Sequence, residues 1–383
     1  MRPESANLRL RPFPLFALVL SLSGLMASCT STERAKPLSV GDVPGAITKT
    51  REELLAGRSR DALRRMRRAS VTRGLSPDQR SEIESLLEQS GLARIEELRD
   101  PPRPGALRTM VKLALPRRIG VRAGIIGAQL YLDKDKRTRA FSLLQRVDQL
   151  YPNHNQRREA GRIIADIGFS FAEDPRRYGL FFKYRNQAPR VLEYLVDNYP
   201  SEPRTDEAYW TLGELYAEKR LWANAIESLE DLIVWRPDSP RAIESQARIP
   251  NLRLRGLASP EYDRYELQRA KGEMEAWLAR HAGHPVESEV ERDLTDCTQR
   301  LADSDLSIAR FYRKVDNDQG AAFHARRALE EARSAGNEAQ EDEARALLLS
   351  IEGAPSETPG ETEADGEAQG PASAEADGEG SQP

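Results

Sequence analysis

The sequence predicts an all-α protein: a solenoid of about five stacked helix pairs, preceded by a helical N-terminal segment and followed by a disordered acidic tail. Three observations predict it. First, small, aromatic and apolar residues between Asp206 and Ser239 fall at the fixed spacing a paired-helix repeat needs. Second, the same frame fits stretches upstream and downstream of that one. Third, charged residues make up 31% of the chain and aromatics 6%, a balance that suits a helical array with much surface better than a compact α/β enzyme.

The central stretch shows the physics. Tyr209, Leu212 and Tyr216 stand at i, i+3 and i+7, one stripe of a first helix. Trp222, Ala225, Ile226, Leu229, Leu232 and Ile233 form the matching stripe of a second. Gly213 and Ala225 are small where the two helices must approach. Pro237 ends the second helix and turns the chain. Tyr209, Leu212, Gly213, Tyr216, Ala225, Leu229, Leu232 and Pro237 occupy the signature positions of a 34-residue tetratricopeptide repeat. Such a pair leaves apolar surface open and needs stacked neighbours.

In chain order, residues 1–28 resemble a lipoprotein signal peptide. Arg2, Arg9 and Arg11 give a basic start, and Leu15 to Met26 is an apolar run too short to span a bilayer comfortably. Small residues then precede Cys29, as in a lipobox, which makes Cys29 the lipid-bearing first residue of the mature chain. The alternatives are an uncleaved anchor or an ordinary signal with an incidental cysteine. Several acyl chains such as palmitate would make the anchor effectively permanent. Residues 29–48 are a tether rich in Ser, Thr, Gly and Pro. Residues 49–104 form a helical segment with a proline-rich joint. Its first helix is expected from about Thr50 to Ser70, and it carries Arg58, Arg60, Arg64, Arg65, Arg67 and Arg68. Those arginines suit either a solvated face or contact with anionic head groups near the tether. The second helix opens at Ser76-Pro77, a cap followed by proline at the first helical position, with a stop expected at Ser90-Gly91. Pro101, Pro102 and Pro104 make the joint.

The solenoid is expected over 105–351. Ala128, Tyr131, Ala140, Leu144, Val147 and Pro152 repeat the central frame over about 121–154. Ile164, Ile167, Gly168 and Phe171, then Ala188, Leu192, Leu195 and Pro200, repeat it again. Pro152 and Pro200 are 48 residues apart, so that pair carries about 14 extra residues near Asp174 to Gln187. A degenerate fourth pair covers about Pro240 to Leu254 and Asp263 to Arg280, with Pro250 expected to bend or shorten its first helix. A fifth has Ile308, Ala309 and Tyr312, then Ala321, Ala325 and Ala328. A capping helix is expected from Ala339 to Ile351. Residues 352–383 carry nine acidic residues and no basic one, cannot bury a core, and are expected to be disordered.

The net charge of −4 gives no warrant for nucleic-acid binding. Two cysteines exclude a disulfide framework and a zinc site on ligand count; Cys297 is expected to be buried and inert. His281 and His284 are three apart, but no further metal ligand stands at a telling distance. No phosphate loop or nucleophile motif occurs. No catalytic residue, metal or cofactor is therefore expected, as a scaffold with a docking groove requires.

Cys29, the five repeats, the turns Tyr151-Pro152-Asn153-His154 and Tyr199-Pro200-Ser201, and the stretch Asp305 to Lys314 followed by Gly320-Ala321-Ala322 resemble the BamD-like outer-membrane assembly lipoproteins over about 105–335. The resemblance implies a lipid-anchored, non-catalytic scaffold on the periplasmic face of the outer membrane. Its implied partners are a barrel-inserting outer-membrane protein, other assembly lipoproteins and peptides of unfolded outer-membrane proteins. It implies partner contacts at Arg310 and Arg326. Tyr131, Phe171 and Tyr216 are expected at the wall of a peptide groove, with inter-repeat packing as their alternative role. The helices at 50–99 and the acidic tail have no counterpart in that family. The rivals are a scaffold of another envelope or cell-wall complex, on the same architecture, and an enzyme with a catalytic segment at 50–120.

Overall fold

The computed structural model describes residues 35–113, 115–178, 182–257 and 264–353. Cys29 and nearly all of the acidic tail lie outside them. The described residues form fifteen α-helices: α1 Val43–Leu55, α2 Ser59–Ser70, α3 Pro77–Glu97, α4 Pro104–Lys112, α5 Arg117–Leu132, α6 Arg137–Leu150, α7 Arg157–Ala172, α8 Ala188–Asn198, α9 Thr205–Glu218, α10 Trp222–Trp235, α11 Pro240–Gly256, α12 Arg264–Arg280, α13 Glu287–Lys314, α14 Asp318–Ser334 and α15 Glu338–Glu352. The predicted all-α class holds. The one departure is a two-residue antiparallel ladder in the insertion, Arg177–Tyr178 against Phe182–Lys183. The chain divides into two compact units, one ending at Gly256 and one starting at Leu257. That boundary falls inside the fourth predicted pair.

In the first unit one apolar core runs from Val43 through Leu215. The helices before residue 105 therefore share a core with the first repeats. The predicted helix over 50–70 is two helices, and the first begins at Val43, inside the stretch expected to be tether: Gly57 sits at φ +70 between α1 and α2, and Leu55 beside it is 91% exposed. Ser76 caps α3 with Gln79 in a reciprocal box, as its sequence requires. The expected stop at Ser90-Gly91 is absent. Gly91 lies inside α3, and a β-carbon there would meet Ile119 at 2.6 Å, so glycine permits α5 to close on α3. Pro104 opens α4, a helix that the joint conceals in the sequence. Pro250 does not shorten α11, which runs on to Gly256.

The repeat pairs close on glycines. A β-carbon at Gly127 would meet Leu143 at 2.9 Å, one at Gly168 would meet Leu192 at 2.5 Å, and one at Gly213 would meet Leu229 at 2.7 Å. Gly124 is filled in the same way by Val147. The aromatic-proline ends pack back on the start of each pair: Tyr151 over Gly120, Tyr199 over Gly161. Tyr151 Oη donates to the Leu115 carbonyl at 2.9 Å, and burial pushes its hydroxyl up to about 12. In the third pair Arg236 takes the tyrosine's place. Its guanidinium donates to Thr205 Oγ1 and to the carbonyls of Pro200 and Glu202, while Trp235 stays 68% exposed.

In the second unit α12 packs on α13, α13 on α14, and α14 on α15. The face of α14 is alanine: Ala321, Ala322, Ala325, Ala328 and Ala332 are buried. Cys297 on α13 is buried, its Sγ 3.2 Å from the Leu267 carbonyl, and burial pushes the thiol up to about 12. Asp305 is fully buried. His324 Nδ1 lies 2.7 Å from it, Arg264 Nη1 2.7 Å and Arg327 Nε 3.9 Å, so one carboxylate ties α12, α13 and α14 together.

The glycine seam sets a measurable cost. Val147 is β-branched and stiff at χ1, so it has no easy escape from a new methyl group. Gly124→Ala is expected to destabilise by about 1–3 kcal/mol. Adding Val147→Ala should return part of that loss in a double-mutant cycle read by thermal unfolding. Strict additivity of the two losses would show that the seam is not a close contact.

Candidate peptide cleft and partner surface

Three helices of the first unit enclose a cleft of about 270 Å³. Helix α8 contributes Glu193, Val196 and Asp197; α9 contributes Tyr209, Leu212 and Tyr216; α10 contributes Asn224, Glu227, Ser228 and Asp231. The stripe Tyr209, Leu212, Tyr216 that the sequence places on one helix face forms its apolar floor. Tyr216 Oη donates to Glu193, and burial followed by that carboxylate pushes the hydroxyl up. Burial also raises the Tyr209 hydroxyl. Asp231 stands above the usual carboxylate range, first by burial and then by repulsion from Glu227, Asp197 and Glu230. A cleft with an aromatic floor and crowded carboxylates suits a cationic side chain on an extended segment. Its arginine or lysine would relieve the repulsion, and its stem would cover the rings.

Tyr216 is half-buried and lines this cleft. Tyr131 and Phe171 do not, and their expectation as groove residues is corrected to packing. Tyr131 is 4% exposed and Phe171 1% exposed. Helix α4 covers Tyr131: a β-carbon on Gly105 would lie 3.9 Å from its Oη. The insertion covers Phe171. Tyr184 stacks on its ring at 6.3 Å, and the Arg137 guanidinium lies 4.7 Å from the Phe171 centroid and 5.1 Å from that of Tyr184. Asp174 fixes Arg137 in turn. Hydrogen bonds from Arg176 and then Arg137 hold the Asp174 carboxyl well below the usual range.

A second polar cluster gathers at Asp148. Asp148 on α6 accepts from Tyr199 Oη at 2.6 Å and Tyr194 Oη at 2.7 Å, and His154 Nε2 lies 3.3 Å away. Burial pushes the Asp148 carboxyl up, but these donors pull it further down, so it stays below its ordinary range. The cluster joins the end of one pair to the next, and Tyr199 also lines a cavity of about 440 Å³ with Arg157 and Asn198. It also corrects His154, which is a buried partner of Asp148 rather than a turn residue alone. His281 and His284 pack on Trp277, at 5.0 and 5.4 Å between ring centroids.

In the second unit Arg310 and Arg326 both lie on the surface. Each pairs with α15: Arg310 with Glu343, and Arg326 with Glu352 at 2.7 Å. Beside them stand side chains the sequence reading did not single out. Phe311 is 60% exposed, Phe323 54% and Val315 54%. Rings run in series from Phe311 through Tyr312 and His324 to Phe323, with neighbouring centroids 5.1–5.8 Å apart. The Arg327 guanidinium lies 5.7 Å from the Phe323 ring. The available signal was their phase: Phe311 and Phe323 fall off the inward stripes of Ile308, Ala309 and Tyr312 and of Ala321, Ala325 and Ala328.

No protein-family model and no curated protein matches the chain. Among solved structures it is similar to a circular tandem repeat protein with novel repeat topology, at 13% identity and a TM-score of 0.21, over 81% of this chain and 75% of that one. It is also similar to a computationally designed self-assembling cyclic homooligomer, at 14% identity and a TM-score of 0.13, over 81% of this chain and 94% of that one. At those scores neither likeness supports an assignment. Among the described residues no helix is long and apolar enough to cross a membrane.

Asp231 gives the cleft a pH signature. A carboxyl raised in the folded state carries a penalty that is absent below its unfolded pKa and complete above its folded one. Asp231→Asn is therefore expected to raise Tm by about 1–2 °C at pH 7. The gain should vanish as the pH falls below the ordinary carboxylate value of about 4. The same change should weaken binding of a lysine-bearing peptide about three-fold. A Tm gain that persists at pH 3, measured by differential scanning fluorimetry, would exclude carboxylate crowding as its cause.

Proposed function

We propose that the chain is a non-catalytic scaffold, lipid-anchored through Cys29 on the periplasmic side of the outer membrane, that serves assembly and insertion of β-barrel outer-membrane proteins. One observation carries the reading. The stretch Asp305 to Lys314 and the helix that follows it, part of what carries the family resemblance, bear exposed Phe311 and Phe323 together with Arg310 and Arg326. Exposed aromatic side chains beside arginines are the makeup of a protein docking patch. Both arginines are tied to α15 by exposed ion pairs, which are weak and easily exchanged for a partner's carboxylates. Barrel-inserting protein is the partner assigned to this patch, alongside other assembly lipoproteins. Client segments are assigned to the Tyr209–Tyr216 cleft, whose size admits one or two side chains rather than a folded domain. The polar clusters at Asp148 and Asp305 act as ties between helices. A scaffold of a different envelope or cell-wall complex has the same architecture and differs in what it holds.

Affinity purification of the full chain from detergent-solubilised membranes separates the two. A β-barrel outer-membrane protein with periplasmic domains is expected to co-purify. Arg310→Glu with Arg326→Glu, and separately Phe311→Ala with Phe323→Ala, should each reduce its recovery at least about ten-fold without changing the circular dichroism spectrum. Cys29→Ser should release the chain from the membrane. Recovery of a peptidoglycan-linked complex with no barrel-inserting protein would replace this reading with the cell-wall one.

A further inference from the structure

The first unit carries a basic face that the assembly reading leaves without a role. On α2, Arg60, Arg64, Arg67 and Arg68 recur at i, i+4, i+7 and i+8, and Val71 extends the stripe. Ala62, Leu63, Met66 and Ala69 form the opposite face and are buried. Arg60, Arg64 and Arg68 are exposed, and Val71 is 47% exposed. From 58 to 73 the chain has seven arginines and one acid, Asp61, so the stripe is nearly of one sign. Two of the nearby acids are engaged elsewhere, and the third, Asp61, sits loosely against the stripe itself. Glu53 of α1 is bound by Arg65 at 2.6 Å, Glu97 of α3 accepts from Ser59 and Arg94, and Asp61 lies 3.9 Å from Arg64.

The path of the chain places this face beside the anchor. Arg68 Nε donates to the Lys36 carbonyl at 3.1 Å. The Leu38 N–H donates to Thr72 Oγ1 at 3.1 Å, and the same hydroxyl donates back to the Leu38 carbonyl at 3.3 Å. The segment arriving from residue 29 is thus pinned to the C-terminal end of the arginine stripe. Lys36 is only seven positions beyond Cys29. Fully extended, that stretch spans at most about 25 Å.

We propose that this face of α2 docks on the anionic phospholipid head groups of the bilayer that holds the Cys29 lipid. The proposal rests on the lipid-anchor reading. The lipid holds the stripe near the surface, and the arginines fix which side of the unit meets it. Guanidinium groups suit phosphate because they donate in pairs. Val71 adds a small apolar contact at the head-group level. Exposed charges at this range are screened over about 8 Å in physiological salt, so the docking is salt-sensitive.

The test uses the full mature chain carrying Cys29→Ser, which removes any lipid and leaves the protein surface alone. It is sedimented with vesicles of phosphatidylcholine and with vesicles of phosphatidylcholine and phosphatidylglycerol. Binding is expected to the anionic vesicles and not to the neutral ones, and it should fall as salt rises. A basic side chain near such a surface contributes about five-fold in partitioning, so Arg60→Glu, Arg64→Glu and Arg68→Glu together should reduce it by about a hundredfold or more. The corresponding lysine variant should retain most of it, with Tm unchanged in both. Equal binding to neutral vesicles, or binding unmoved by the reversals, would overturn the proposal. So would vesicle binding that emerges only after residues 354–383 are deleted, which would make the acidic tail the occupant of this face. Incorporation of labelled palmitate at Cys29 in cells is scored separately, so loss of the anchor reading and loss of the docking face give different results.

Discussion

The interaction on which the first unit depends is steric: each repeat pair closes where one helix offers hydrogen in place of a side chain. At Gly124, Gly127, Gly168 and Gly213 the facing Val147, Leu143, Leu192 and Leu229 occupy the space a β-carbon would need. These facing side chains are essentially fully buried. Burying a leucine or valine contributes about 1.5–3 kcal/mol. The glycines cost helix propensity, about 1 kcal/mol each against alanine, and the close approach offsets it. The same logic governs the pair ends, where Tyr151 and Tyr199 fold back over Gly120 and Gly161. Once Tyr199 is so placed, its hydroxyl reaches Asp148 on the preceding pair, and His154 and Tyr194 reach the same carboxylate. Steric fit within a pair thus positions the polar tie between pairs.

The second unit reaches closeness by another route. Alanine, not glycine, lines α14, and a buried carboxylate does the tying. Asp305, with Arg264, Arg327 and His324 around it, is the kind of group whose burial costs desolvation and whose geometry then discriminates between registers. A slip of α13 along α14 would separate Asp305 from His324 and Arg327. An all-alanine seam has little shape to resist such a slip, so the carboxylate supplies the register that side-chain interlock supplies in the first unit.

This difference explains what was legible in the sequence. The frame of Leu212, Gly213, Ala225 and Leu229 is a local pattern with a fixed period, and it located α5 to α10 closely. Breaks and continuations were less legible because a glycine has two uses. Gly57 ends a helix at positive φ, whereas Gly91 lies mid-helix under Ile119, and nothing local to either residue separates the cases. Coverage was not legible at all. Tyr131 and Phe171 carry the pattern of wall residues, but α4 and Tyr184, nearby in sequence yet outside the repeat frame, bury them. Tyr216 has no such cover and lines the cleft. Phe311 and Phe323 were visible in principle as aromatics out of phase with the packed stripe, a signal that stands out only when exposed residues are given the weight of buried ones.

The first unit also separates its charges. Arginines are arrayed on the outer face of α2, and carboxylates converge on the cleft of α8, α9 and α10. If Cys29 tethers the unit to an anionic bilayer, as proposed, the bilayer attracts the first and repels the second, and the two together exert an orienting torque. Docking by α2 alone would leave rotation about that helix free. Repulsion of Glu193, Asp197, Glu227 and Asp231 disfavours rotations that bring the cleft to the head groups. On the proposed reading, the cleft would thereby be kept toward the aqueous side, within reach of an extended cationic segment. The carboxylates that crowd Asp231 would then serve both as the ligand contact and as the group that holds the site off the membrane.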